Sequence, residues 1–337
     1  MGITLKQIAE MAGVHKSTVD KVIHNRPGVS DIKRQQIRAL LQEHGYESNP
    51  LAKALNYQKK KMTVAVVLPV VDATPELRRG MELVRQDFNS FNCEIAYYEV
   101  AYPDVEAQAK CLNRLCEKGV AGVVCSPMEG KPVYEALAAL DAAHIPVVTV
   151  NSDLEDAPRL CFVGQDMEQS GKVAARLAGL LLGGNGQIGV LSSRESLRSV
   201  EQREHAFERY LSARYPEIRI VETVDTHESP ALAYESTVKL LGRHAALDAL
   251  FITCGCVPDI CRAVRDQGRS LQILCYERYP EIVALVQGGE IACTISGDLM
   301  EQGRRAMRLL FEYIIYDRAP GRGEIYTKNE ILLCENI

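Results

Sequence analysis

The chain has 337 residues, 47% of them hydrophobic, with 39 Lys+Arg against 44 Asp+Glu. At about 100–200 residues per domain this predicts two or three domains with buried cores, and it excludes wholesale disorder. No apolar run approaches the roughly 20 residues that span a bilayer, and residues 1–7 lack the pattern of a secretion signal, so a cytoplasmic protein without a membrane partner is expected.

Eleven cysteines, an odd number at irregular spacing, read as free thiols of a reducing compartment, buried as small hydrophobes. The net charge of −5 hides an asymmetry: residues 1–61 hold eleven Lys/Arg against five Asp/Glu, a net +6, and the remainder carries −11. A basic head on an acidic body predicts a polyanionic partner for the head alone.

In chain order, Thr4-Leu5-Lys6-Gln7 has the capping-box pattern. Leu5, Ile8, Ala9 and Ala12 follow at helical spacing until Gly13 stops the helix. A second short helix over residues 15–23 turns Val19, Val22 and Ile23 inward, and His15, Lys16, Ser17, Asp20 and Lys21 outward. Asn25-Arg26-Pro27-Gly28 is a turn. Ser30 is placed to cap a third helix running through His44, with Ile37, Leu40 and Leu41 on its apolar side and Gly45 closing it. Two short helices across a tight glycine turn, braced by a third, make helix-turn-helix geometry.

The segments Thr4-Leu5-Lys6-Gln7-Ile8-Ala9, Ala12-Gly13-Val14, Ser17-Thr18-Val19, Val22-Ile23, Asn25-Arg26-Pro27-Gly28-Val29-Ser30 and Gly45-Tyr46-Glu47-Ser48-Asn49-Pro50 resemble, in order and spacing, the headpiece of the lactose-repressor (LacI) family. Where that family normally reads Val-Ser-Arg, this chain has Val19-Asp20-Lys21, a departure that bears on the half-site and not on the fold. Lys21 can donate to guanine; Asp20 either accepts from a cytosine amine or pairs with Lys16 one turn back. Asn49-Pro50-Leu51-Ala52-Lys53-Ala54-Leu55 is similar to the family's hinge helix, with Leu55 in the place of the side chain that wedges into the minor groove. The resemblance therefore implies DNA contacts from Thr4, Lys16, Ser17, Thr18, Asp20, Lys21, Asn25, Tyr46, Asn49, Lys53 and Leu55.

Beyond residue 61, short apolar runs alternate with helical stretches. Strands are expected at 64–68, 95–98, 120–125 and 147–150, and again at 188–191, 218–221, 249–252 and 273–276. Their spacing suits strand-helix-strand units of parallel sheet, and two sets of four imply two doubly wound lobes with a ligand between them. The fold class is thus an all-α helix-turn-helix headpiece on an α/β two-lobed core, which resembles the family's periplasmic-binding-protein-like domain. That resemblance implies three crossings between lobes, placed near 160–163, 289–294 and 323–327. The expected division is 1–46 headpiece, 47–61 hinge and linker, 62–160 with 293–325 first lobe, and 161–292 with 326–337 second lobe.

Enzyme motifs are wanting. Gly184-Asn185-Gly186-Gln187-Ile188-Gly189 contains G-x-G-x-x-G, but it leaves a helix and enters a strand, the reverse of a dinucleotide fingerprint. The seven histidines form no catalytic cluster. Cys254, Cys256 and Cys261 are ligands of the right kind for a soft metal, yet no fourth ligand stands at metal-like spacing.

For the cleft, Arg203-Glu204-His205-Ala206-Phe207 resembles the family's R-x-x-G-F, whose Arg bonds ligand hydroxyls; a guanidinium's fixed donors suit vicinal oxygens. Glu277 takes the place of the usual cleft Asp, and Asn151, Asp153, Ser126 and Asp298 stand at strand ends. Thr74, in the first strand-helix loop, completes the candidate set. Trp is absent, so stacking falls to Tyr or Phe, with Tyr276 and Tyr279 nearby. The reading is a regulator, a repressor by preference, that binds a pseudo-palindromic operator in double-stranded DNA as a homodimer. It answers a sugar-like effector and needs no cofactor, metal or catalytic residue. The short tail after residue 330 offers no leucine-heptad helix for a tetramer. The alternatives are a sugar-binding transport module and a thiol- or metal-sensing regulator using the three cysteines.

Overall fold

The computed structural model describes residues 3–23, 28–44, 62–154, 156–193 and 198–337. The first three helices are α1 (Leu5–Ala12), α2 (Lys16–Ile23) and α3 (Asp31–Glu43). Thr4 caps α1 reciprocally: Gln7 N–H donates to Thr4 Oγ1 (3.3 Å) and Thr4 N–H to Gln7 Oε1 (2.9 Å). Gly13 closes α1 in the left-handed conformation (φ 61°), and Lys33 Nζ donates to the Ala12 carbonyl at the helix end (2.9 Å). Ile8, Ala9, Ala12, Val19, Val22 and Ile37 form the small core these helices share. Ser30 departs from expectation. Its backbone is extended as a cap requires and its carbonyl accepts from Arg34 N–H (2.9 Å), but its hydroxyl caps nothing. The negative charge of Asp31 in the first turn complements the helix end instead.

Two six-stranded sheets follow. The first is ordered β2 (Cys93–Ala101), β1 (Met62–Val70), β3 (Gly122–Cys125), β4 (Val147–Val150), β5 (Cys161–Gln165), β11 (Glu324–Thr327), and all its pairs are parallel. The second is ordered β7 (Glu217–Asp225), β6 (Asn185–Ser192), β8 (Ala249–Ile252), β9 (Gln272–Tyr276), β10 (Cys293–Ser296), β12 (Glu330–Leu332). Only β12 runs antiparallel, against β10. Strands β3, β4 and β8 are buried on both faces, which is why they read as unbroken apolar runs.

Helices cover both faces of each sheet. On the first, α4 (Thr74–Arg85) and α12 (Leu299–Tyr316) lie on one side, and α5 (Val105–Lys118) and α6 (Lys131–Ala142) on the other. On the second, α7 (Met167–Leu181) and α8 (Arg198–Arg214) oppose α9 (Pro230–Arg243), α10 (Val257–Asp266) and α11 (Pro280–Gln287). Helices α4 and α12 approach until Gly80 and Gly303 face the partner backbone, where a Cβ at Gly303 would collide with the Leu77 carbonyl.

The crossings stand later than the sequence suggested. Strand β5 pairs with β4 and stays in the first lobe, β10 pairs with β9 and stays in the second, and β11 pairs with β5 and returns to the first. Each time the chain completes its parallel ladder and only then leaves, because stopping early would strand buried backbone polar groups. The lobes are therefore 62–165 with 298–327, and 166–297 with 328–337. The three crossings are laced together. Gln165 Nε2 donates to Asn329 Oδ1 (2.6 Å), and Thr327 Oγ1 lies 2.5 Å from the Gly297 carbonyl and 3.1 Å from that of Gly164.

Candidate functional site

The headpiece presents the outer side of α2. Lys16, Ser17 and Lys21 are exposed, and Thr18 and Asp20 are half-buried, as the helical period of Val19 and Val22 requires. Ser17 is partly engaged: its backbone N–H donates to His15 Nδ1 (3.4 Å), and its Oγ lies 2.9 Å from the same nitrogen. Thr4 is exposed beside the start of α1. Asn25, Tyr46, Asn49, Lys53 and Leu55, the remaining candidates for DNA contact, lie outside the described residues.

A cleft of about 1860 Å³ opens between the two lobes, at the carboxyl ends of their parallel strands. From the first lobe, Ser126, Asn151, Ser152 and Asp153 line it; from the second, Arg203, Tyr276, Glu277 and Tyr279. Arg203 leaves the buried side of α8 and is only 7% exposed. Its guanidinium stacks 3.6 Å above the centre of the Tyr276 ring, and its Nη2 donates to Gln165 Oε1 of the other lobe (2.7 Å). Ala206 and Phe207, from the same motif, turn into the lobe, where Phe207 stacks on Phe251 at 4.0 Å. Gly171 makes this possible, since a Cβ there would strike the Arg203 carbonyl.

Glu277 sits just past β9 with a left-handed backbone (φ 73°). Burial pushes its carboxyl up to about 7, while Arg203, the Gly297 amide and Arg278 pull the other way. Asn151 also takes a left-handed backbone (φ 65°), and its N–H donates to Val163 O (3.0 Å). The Ser126 hydroxyl lies 2.9 Å from that of Ser152. Asp153 is bound to Arg159 (2.7 Å) and accepts from Thr149 Oγ1 (2.7 Å), so much of its capacity is already used. Burial still raises its carboxyl, ahead of those partners.

Two candidates turn away. Thr74 is buried; its hydroxyl donates to the Pro69 carbonyl and it does not line the cleft. Asp298 caps α12, accepting from Glu301 N–H (3.0 Å), and likewise lies off the cleft wall. Both stand where a chain enters a helix, and a short oxygen-bearing side chain there serves backbone donors or acceptors first. Gln165, Asp72 and Glu228 were overlooked. Gln165 ends a strand that read only as a crossing, and nothing local marks it as the bridge to Arg203.

Cys254 and Cys256 are buried in the cleft wall. The hydrogen-bonded Cys254 and burial both push the Cys256 thiol up, against the thiolate a sensor needs. Among the described residues, no three His, Cys, Asp or Glu side chains converge to hold a metal ion, and no helix is long and apolar enough to cross a membrane.

Residues 4–49 match the family model for bacterial regulatory proteins of the lacI family, and residues 64–317 match that for the periplasmic binding protein domain. The chain belongs to the lacI family of regulators, with a periplasmic-binding-protein domain as its core. It is 24% identical over 332 residues to the catabolite control protein A of Priestia megaterium, covering 93% of each chain. It is 36% identical over 74 residues to the HTH-type transcriptional regulator TreR of Escherichia coli (strain K12), covering 22% of this chain and only 23% of that one. In structure, the core is similar to an ABC transporter solute binding protein from Burkholderia graminis C4D1M in complex with D-arabinose. The TM-score is 0.76 at 21% identity, covering 82% of this chain and 96% of that one. The fold class and the family resemblance read from the sequence both hold.

Proposed function

We propose that this lacI-family chain is a ligand-responsive, DNA-binding transcriptional regulator and not an enzyme. The observation that carries it is the union, on one chain, of a helix-turn-helix head and a two-lobed core with an arginine-bearing cleft. Lys16, Ser17, Thr18, Asp20 and Lys21 read base edges and phosphates, with Thr4 at a phosphate. Asn25, Tyr46, Asn49, Lys53 and Leu55 belong to the same surface by resemblance. Two heads, one from each protomer of a homodimer, meet the half-sites of a pseudo-palindrome. Arg203, Glu277, Asn151, Ser126 and Asp153 hold a small polyhydroxylated effector, a class supported by the D-arabinose held by the structural relative. Effector binding fixes one arrangement of the lobes, and that arrangement biases the hinge between body and head. Repression is the sign we favour.

The test separates the halves. Full chain and a chain lacking residues 1–61 are each exposed to a random duplex pool, and each is screened by thermal shift against sugars and sugar derivatives. The full chain should select a two-fold sequence, while the headless chain should lose DNA and keep the thermal shift. Retained DNA affinity in the headless body would overturn the assignment.

A further inference from the structure

The cleft is far more acidic than a neutral ligand needs. Among the described residues, twelve Asp and Glu line it, against two arginines and one histidine. Several of these acids are neutralised by neighbours, as Asp153 is by Arg159 and Asp259 by Arg262. Asp72, Glu228 and Glu277 form no ion pair among the described residues, yet they come from both lobes to one place. Asp72 follows β1 and Glu228 follows β7, and their carboxylates meet over the bare Cα of Gly255. A Cβ there would lie 2.7 Å from Glu228 Oε2 and 3.5 Å from Asp72 Oδ2. The Glu228 carboxylate also accepts from Gly255 N–H (3.0 Å). Burial first, and then Glu277, Asp72 and Glu228, push the Tyr279 phenol up, so all three carboxylates stand within electrostatic reach of one cleft-lining ring.

The buried arginine of the cleft wall is already committed. Arg203 lies over Tyr276 and is bonded to Gln165 and Met167. Its Nε, on a side chain only 7% exposed in the cleft wall, has no hydrogen-bond partner among the described residues. That orphan donor points to a ligand with hydroxyl oxygens. The three carboxylates add a second requirement: they line the cleft with no cation bound to them among the described residues, and a neutral occupant that displaced their solvent would leave their charges uncompensated. An ammonium group compensates them through charge-assisted hydrogen bonds and through contact with the Tyr279 face.

We propose that the effector is a polyhydroxylated amine, an amino sugar or amino polyol, whose ammonium sits among Asp72, Glu228 and Glu277 while its hydroxyls reach Arg203. The inference rests on the cleft being the effector site. The test is calorimetric titration of the full chain at neutral pH with matched sets: an amino sugar such as D-glucosamine, its neutral parent, its N-acetyl derivative, and the diamine putrescine. Pentose, hexose and polyol sets are run alike. In at least one set the free amine should bind tenfold or more tightly than both its parent and its acetylated form, and the advantage should shrink with added salt. The variant Asp72→Asn/Glu228→Gln should lose that preference while its unliganded melting midpoint stays close to the parent's. Equal binding of parent and amine would overturn the charge requirement and leave the effector cleft standing. Putrescine binding as well as the best amino sugar would overturn the hydroxyl requirement. Silence across every set would overturn the proposal and the sugar-like effector class together, with the regulator assignment still judged by the DNA selection.

Discussion

Arg203 holds Gln165 across the lobes, and its Nε, without a partner among the described residues, is the donor proposed for the effector. Arg203→Ala should therefore lower effector affinity about tenfold to hundredfold, the value of one charge-assisted bond at about 1.5–3 kcal/mol. Operator binding without effector should persist, because the arginine lies far along the chain from the head. Operator titration with the effector found by thermal shift reads this directly, and an unchanged midpoint would place the cleft contacts elsewhere. Glu277 gives a second prediction. The folded chain holds its carboxyl up to about 7 against an ordinary 4.5, so over that interval the native state binds a proton that the unfolded state has released. The stability tied to this proton is fully present below the ordinary value and is lost as pH rises through about 7. Glu277→Gln should raise the unliganded melting midpoint above neutrality, by about 1–3 kcal/mol in stability, and flatten the decline between acid and neutral pH. Thermal melts across pH test it, and parallel curves for the two proteins would refute it.

Helix α8 carries the arginine, but α7 decides where α8 sits. The two helices meet at Gly171, against the backbone of Arg203 and the Ala206 methyl. Gly171→Ala must push them apart, since the collision is with a backbone carbonyl and not with a side chain that can swing away. Overpacking of this kind costs about 1–3 kcal/mol. It should also weaken effector binding, although Gly171 does not line the cleft. Gly242→Ala, where a Cβ meets nothing within 4 Å, is the control and should change neither property. Chemical denaturation and effector titration of both variants decide the matter; equal stability of the two would contradict the account.

For the whole molecule, a basic head of +6 tethered to a body of −11 divides the labour electrostatically. Affinity for DNA should fall steeply with salt, by about 0.9 in log K per log salt for each phosphate neutralised, while effector affinity follows its own shallower dependence. Anisotropy titrations over a salt series measure the slope, and a flat response would remove the electrostatic role assigned to the head. The proposed two-fold operator calls for a dimer, which light scattering on the full chain should show across concentrations.

The sequence by itself determined the elements and their kind. The capping box at Thr4 and Gln7, the Gly13 stop and the period of Val19 and Val22 are local facts, and a helix needs little else to be recognised. The inner strands β3, β4 and β8 were legible because burial on both faces demands unbroken apolar runs, and the edge strands β2 and β7 by shorter apolar runs at the same spacing. Arg203 and Glu277 were legible as cleft residues because a family motif and a strand end mark them. Tertiary structure alone decided the crossings, since β5, β10 and β11 choose a lobe by which neighbour they hydrogen-bond, a choice no short window contains. It alone turned Thr74 and Asp298 to backbone service, because a hydroxyl or carboxylate at a helix entrance meets nearby backbone groups before it meets a distant ligand. The meeting of Asp72 with Glu228 over Gly255 is of the same kind: the carboxylates stand in different lobes, more than 150 residues apart, and only the folding of both sheets against one cleft makes their charges act together.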